Sequence, residues 1–186
     1  MLIRDCLKVL LDNKFTSNNI HLFAHSMGGF VTEAAFQDPK SIKINHVVMA
    51  AADVDQSNYV AGSTTLKNVL SKCTDLTAYW SSDDVALQGS RTFNKYIPLG
   101  LNGFPDPDTP ASCTAVQCTT YYNKYAKYEG QPDDFSHVWY ILYAPTPPLV
   151  NDFYADMNRT LSGGPAPTPP PTWPTRASGF VLRRPA

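Results

Sequence analysis

Ile20-His21-Leu22-Phe23-Ala24-His25-Ser26-Met27-Gly28-Gly29 decides how this 186-residue chain reads. A short apolar run ends in a serine, small residues follow, and a helical pattern opens at Met27. The order is strand, sharp turn, helix, with Ser26 at the turn. That arrangement holds a hydroxyl out at the end of a sheet, where it can attack a carbonyl. The usual spacing is G-x-S-x-G; here it is Ala24-x-Ser26-x-Gly28. Small residues are needed at both outer positions because the serine sits in a strained backbone conformation, and larger side chains would collide across the turn. Alanine is the smallest residue that keeps a Cβ, so position 24 tolerates it. A serine before a helix also reads as an N-cap. The flanking strand, His25 and the Gly28-Gly29 pair favour a nucleophile elbow.

Outward from the elbow, Leu2 to Leu11 predicts a helix with Leu2, Cys6, Val9 and Leu10 on one face. Asn19 to Ala24 is a short buried strand. Met27 to Gln37 is helical and ends at Asp38-Pro39, since the residue before proline avoids the helical region. Ile44 to Ala51 and Leu76 to Ser81 are strands; Thr64 to Lys72 and Val85 to Lys95 are helices. Val116 to Tyr122 is the last predicted strand, and Leu149 to Leu161 a terminal helix stopped by Ser162-Gly163-Gly164. Strands alternating with helices imply an α/β fold, a three-layer sandwich on a mostly parallel sheet. Pro165 to Pro174 is too proline-dense for a core element, and Arg176 to Ala186 is expected to go with it. The expectation is a domain over 1–162 and an extended or disordered tail over 163–186.

A chain of this length supports one core. The net charge of −1 carries no basic patch for nucleic acid and no acidic tail. No apolar run is long enough to span a bilayer. Arg4, Asp5 and Lys8 interrupt any signal-peptide core, which leaves the compartment open and leaning towards the cytoplasm. Four cysteines are few. Cys6 falls on the predicted apolar face as a buried thiol. Cys113 and Cys118 are close enough in a loop-like region to bridge, but their spacing is neither a redox nor a zinc signature. Nothing calls for a cofactor or a metal.

A serine hydroxyl needs a base to take its proton, and the base needs an acid to fix its tautomer. In folds with this elbow the chain order is Ser, then Asp or Glu, then His. The acid should follow a strand at the carboxyl end of the sheet. Asp83 and Asp84 do so after Tyr79-Trp80-Ser81-Ser82, ahead of Asp53, although acids also cap helix N-termini. Of four histidines, His21 and His46 lie inside predicted strands, and His25 alternates away from Ser26. His137 alone follows the acid, in a polar loop from which it can swing over the sheet. The amide of Met27 supplies one oxyanion donor. A second should come from a loop after an earlier strand, and this chain has none.

Three segments in order, Phe23-Ala24-His25-Ser26-Met27-Gly28, Ser81-Ser82-Asp83-Asp84-Val85-Ala86-Leu87 and Phe135-Ser136-His137-Val138-Trp139-Tyr140, resemble an uncharacterised bacterial family of α/β-hydrolases. Ala51-Ala52-Asp53-Val54-Asp55 is also similar to that family's stretch after the next strand. The likeness runs from about Leu2 to Leu161. It implies serine-hydrolase chemistry on Ser26, Asp84 and His137, and it is what selects Asp84 over Asp83. Family members carry further strands and the oxyanion loop upstream. Their absence here leaves an open sheet edge, so the expectation is a fragment of a longer product, or a homo-oligomer or other partner covering that edge. One oxyanion donor in place of two weakens catalysis by about 10²–10³-fold. The function that follows is hydrolysis of a small-molecule carboxylic ester. The alternative is a catalytically impaired hydrolase-like domain that binds partners through the open edge or the proline-rich tail.

Overall fold

The computed structural model describes residues 2–105, 108–119, 135–141, 157, 161 and 179–181. Its strands are β1 (Leu22–His25), β2 (His46–Ala50), β3 (Asp75–Trp80), β4 (Cys113–Gln117) and β5 (Gly179–Val181). They lie side by side in chain order and every pair is parallel. Helix α1 (Leu2–Asp12) precedes β1, and between the strands lie α2 (Gly28–Gln37), α3 (Thr64–Lys72), α4 (Val85–Asn94) and the single turn α5 (Leu99–Asn102). A parallel pair needs a crossover, and helices on the faces are the usual way to make one.

β2 shows why the sheet is parallel. Val47, Val48, Met49 and Ala50 are all fully buried, a continuous apolar run rather than an alternation. Successive residues feed opposite faces. Val47 and Met49 join Leu76, Ala78 and Trp80 of β3 in one cluster, roofed by Leu7, Phe36, Leu66 and Val69 from α1, α2 and α3. Val48, Ala50 and Tyr79 join the other, with Leu87 of α4, Trp139, Tyr140, Met157 and Leu161. The predicted three layers are therefore present.

Register places the site. His25, Ala50, Tyr79 and Val116 are Cα partners across four strands, so the carboxyl ends of β1 to β4 finish level. A loop after β1 and a loop after β3 thus open on the same rim, two strand spacings or about 10 Å apart.

Several expectations shift. β4 begins at Cys113, earlier than the predicted Val116 to Tyr122, and residues 120–134, which include the end of that predicted strand, lie outside the described residues. Of the predicted terminal helix only Met157 and Leu161 are described, both helical. Gly179–Val181, within the expected tail, pairs with β4; the proline-dense run lies outside the described residues. On α1 it is Leu7, Leu10 and Leu11 that pack on the core, while Cys6 and Val9 are exposed. Leu10 faces the core as predicted, but the face is rotated towards Leu7 and Leu11 and away from Cys6 and Val9, because leucines at i, i+3 and i+4 form the broader apolar stripe. Cys6 instead lines a cleft with Leu7, Leu10, Ile20 and Leu22 beside the β1 edge.

Cys113 and Cys118 are free, at opposite ends of β4, and feed opposite clusters, so they form no bridge. Burial pushes the Cys73 and Cys113 thiols up to about 12, and raises that of the fully buried Cys118 further. At pH 8 such a thiol holds roughly a thousandfold less thiolate than an ordinary cysteine. Iodoacetamide on the native protein is therefore expected to modify Cys6 alone, and all four cysteines in denaturant, as read by intact mass. A second label in native buffer contradicts this packing.

Candidate active site

Ser26 carries φ +55°, in the left-handed region that a non-glycine residue enters at a cost of about 1–3 kcal/mol. Three backbone hydrogen bonds hold it there. Its N–H donates to Ala50 O at 3.1 Å, and its carbonyl accepts from Gly29 N–H and Asp53 N–H, each at 3.0 Å. The turn is thus tied to the end of β2 on one side and the start of α2 on the other. A Cβ on Gly28 would lie 3.6 Å from that of Ala24, an ordinary contact, so Ala24 fits because Gly28 faces it. The tighter position is Gly29, where a Cβ would come within 3.0 Å of Ala52 Cβ and 3.1 Å of Val54. The Gly-Gly pair therefore lets α2 approach the β2 loop closely. Met27 follows at the N-cap of α2, 67 % exposed, and among the described residues its N–H has no backbone acceptor.

The acid position is divided by burial. Asp83 is exposed and hydrogen-bonds Ser82 Oγ. Asp84 is 0 % exposed. Its Oδ1 accepts from Leu87 N–H at 2.9 Å, capping α4, and the same carboxylate meets His137 Nδ1 at 2.9 and 3.1 Å. Capping and imidazole pairing, read as rivals from sequence, are done by one side chain. Asp53 is engaged elsewhere: it accepts from Ser90 Oγ at 2.7 and 2.8 Å and from Tyr96 O–H at 3.1 Å. Tyr96 answers with a raised pKa, through burial first and the Asp53 charge second.

His137 stands in a helical turn, Phe135–Val138, rather than on a swinging loop. Its neighbours anchor it. Ser136 is buried and its Oγ accepts from Val85 N–H at 3.0 Å, at the first turn of α4. Trp139 and Tyr140 are buried in the second core cluster. The aromatic run after the histidine, legible in the sequence as apolar, works as this anchor. With Nδ1 on Asp84, Nε2 is the ring nitrogen left for chemistry. Among the described residues no hydrogen bond joins Ser26 Oγ to His137.

His25 is the residue that sequence reasoning passed over. It lies on the same face of β1 as Phe23, which belongs to the cluster containing Trp139 and Tyr140. From there its Nε2–H donates to the His137 carbonyl at 2.8 Å, and the two rings lie 4.8 Å apart. Burial pushes its imidazole below the usual value. The alternation that turned it from Ser26 is what aims it at the His137 segment. His46 pairs with Asp75 at 2.6 Å and stacks on His21, both at the amino end of the sheet, away from Ser26.

Residues 3–102 match the family described as alpha/beta hydrolase of unknown function (DUF900). The chain belongs to that family. The match spans β1 to β3 with Ser26 and Asp84 and stops short of His137. No curated protein and no solved structure matches this α/β-hydrolase. Among the described residues no helix is long and apolar enough to cross a membrane, and no three His, Cys, Asp or Glu side chains converge as a metal site.

Proposed function

We propose that this α/β-hydrolase cleaves carboxylic esters through Ser26, His137 and Asp84. The observation that carries the reading is a buried carboxylate on His137 Nδ1, on the rim where Ser26 is held in a left-handed turn. Ser26 Oγ attacks the ester carbonyl while His137 Nε2 takes its proton. Asp84 keeps the other proton on Nδ1 and stabilises the imidazolium. The tetrahedral oxyanion is met by Met27 N–H, a donor at the positive end of α2. Collapse expels the alcohol, which takes the proton from His137, and leaves an acyl-Ser26. Water, deprotonated by His137, then attacks the acyl carbonyl and frees the acid and Ser26. That no hydrogen bond joins Ser26 Oγ to His137 among the described residues accords with catalytic hydrogen bonds that tighten only once substrate is bound.

A fluorophosphonate probe tests this. The wild-type chain is expected to take up one phosphonyl group, and Ser26→Ala none. Labelling that survives Ser26→Ala rejects the assignment.

The second reading, a domain that acts by binding, is favoured by one feature. β1 is an edge strand pairing only with β2 among the described residues, and Met27, Phe30 and Val31 are exposed nearby. Turnover of a short-chain ester that vanishes in His137→Ala decides against it.

A further inference from the structure

We propose that His25 is a positioning residue that ties the base-bearing segment to the strand carrying the nucleophile; this rests on the Ser26–His137 reading. The bond is from a side chain to a backbone carbonyl, His25 Nε2–H to His137 O at 2.8 Å. A carbonyl only accepts, so the nitrogen must carry a proton. The neutral imidazole favoured by burial supplies it from Nε2, and no change of charge is needed to hold the contact. His25 is on β1, paired to Ala50 in a sheet whose next strand is fully buried. Its covalent neighbour is Ser26. The path from the Ser26 backbone to the His137 backbone therefore runs through one peptide unit, one imidazole and one hydrogen bond, and it starts from the last residue of β1. Apart from that bond, the His137 turn is held by the Asp84 carboxylate on its imidazole, by Ser136 Oγ accepting from Val85 N–H of α4, and by Trp139 and Tyr140 in the second core cluster, where the contact with β1 is the non-directional packing of Phe23. Asp84, at the α4 end, sets which nitrogen faces the serine; His25, at the β1 end, sets how far away it stands.

The role predicts a particular mutational pattern. His25→Phe keeps a ring of similar size and removes the donor. His25→Gln places an amide N–H close to where Nε2 stood. A displacement of about 1 Å between reacting groups costs on the order of 10²-fold in rate. The rate of fluorophosphonate labelling of Ser26 is expected to fall about 10–100-fold in His25→Phe and to return to within a few-fold of wild type in His25→Gln. A purely space-filling role gives the reverse order, because phenylalanine fills the site better than glutamine.

An activity-independent measurement runs beside it. The Ile141 N–H donates to Val138 O and closes the turn after His137. Its hydrogen-exchange protection is expected to drop in His25→Phe and recover in His25→Gln. Wild-type labelling with unchanged rate in His25→Phe overturns the positioning role and leaves the hydrolase reading intact. Absence of labelling in wild type overturns the hydrolase reading, and Ile141 exchange then decides alone whether His25 holds the segment. Exchange that ignores both substitutions overturns the tie.

Discussion

His137→Ala is expected to lower ester turnover by about 10⁴–10⁶-fold, since loss of the base leaves only binding and the oxyanion donor. The effect is mainly on kcat, because the imidazole acts on the proton in flight rather than on the bound ester. The same change strips one partner from Asp84, a carboxylate that is 0 % exposed. Leu87 N–H still donates to it, but a buried acceptor deprived of a donor costs about 1–3 kcal/mol. A fall of several degrees in melting temperature should therefore accompany the loss of rate. Turnover within tenfold of wild type removes His137 from the chemistry, whatever the stability change.

Asp84→Asn separates the two duties of one carboxylate. Asparagine caps a helix about as well as aspartate, so α4 and overall stability are expected to change little. Asparagine can present its amide N–H to His137 Nδ1, which moves the imidazole proton to Nε2 and leaves no lone pair facing Ser26. Turnover is then expected to fall on the order of 10⁴-fold with a melting temperature close to wild type. Asp84→Ala loses the cap as well and should cost about 1 kcal/mol more. If asparagine keeps full activity, the contact with His137 serves only to hold the turn, and Asp84 is a cap and nothing further.

These expectations were partly legible in the chain, and the boundary between what could and could not be read follows a physical line. The elbow was readable because it is local: an apolar run, Ser26 and two glycines lie within ten residues, and the positive φ belongs to one of them. α3 was readable to its ends because Ser63 caps it through Leu66 N–H, an interaction spanning three residues. β4 was misplaced because Cys113 to Gln117 mixes polar and apolar residues, and its burial is imposed by β3 and β5. The face of α1 is only partly legible, because Leu10 fits a helical stripe with Cys6 and Val9 as well as one with Leu7 and Leu11. Which stripe turns inward is decided by the sheet below.

Chain order alone narrowed the base to His137, and the alternation of strands and helices alone required a parallel sheet with its loops on one rim. Periodicity and order are properties of the covalent chain, so they survive without a fold. What only the tertiary structure decided is which groups touch: Asp84 and not Asp53 on His137, Cys113 and Cys118 on opposite faces, His25 on a carbonyl 112 residues away. Each depends on strand register and on which side of the sheet a later segment crosses. Those are set by the sum of core packing over the whole domain, and no window of sequence contains that sum.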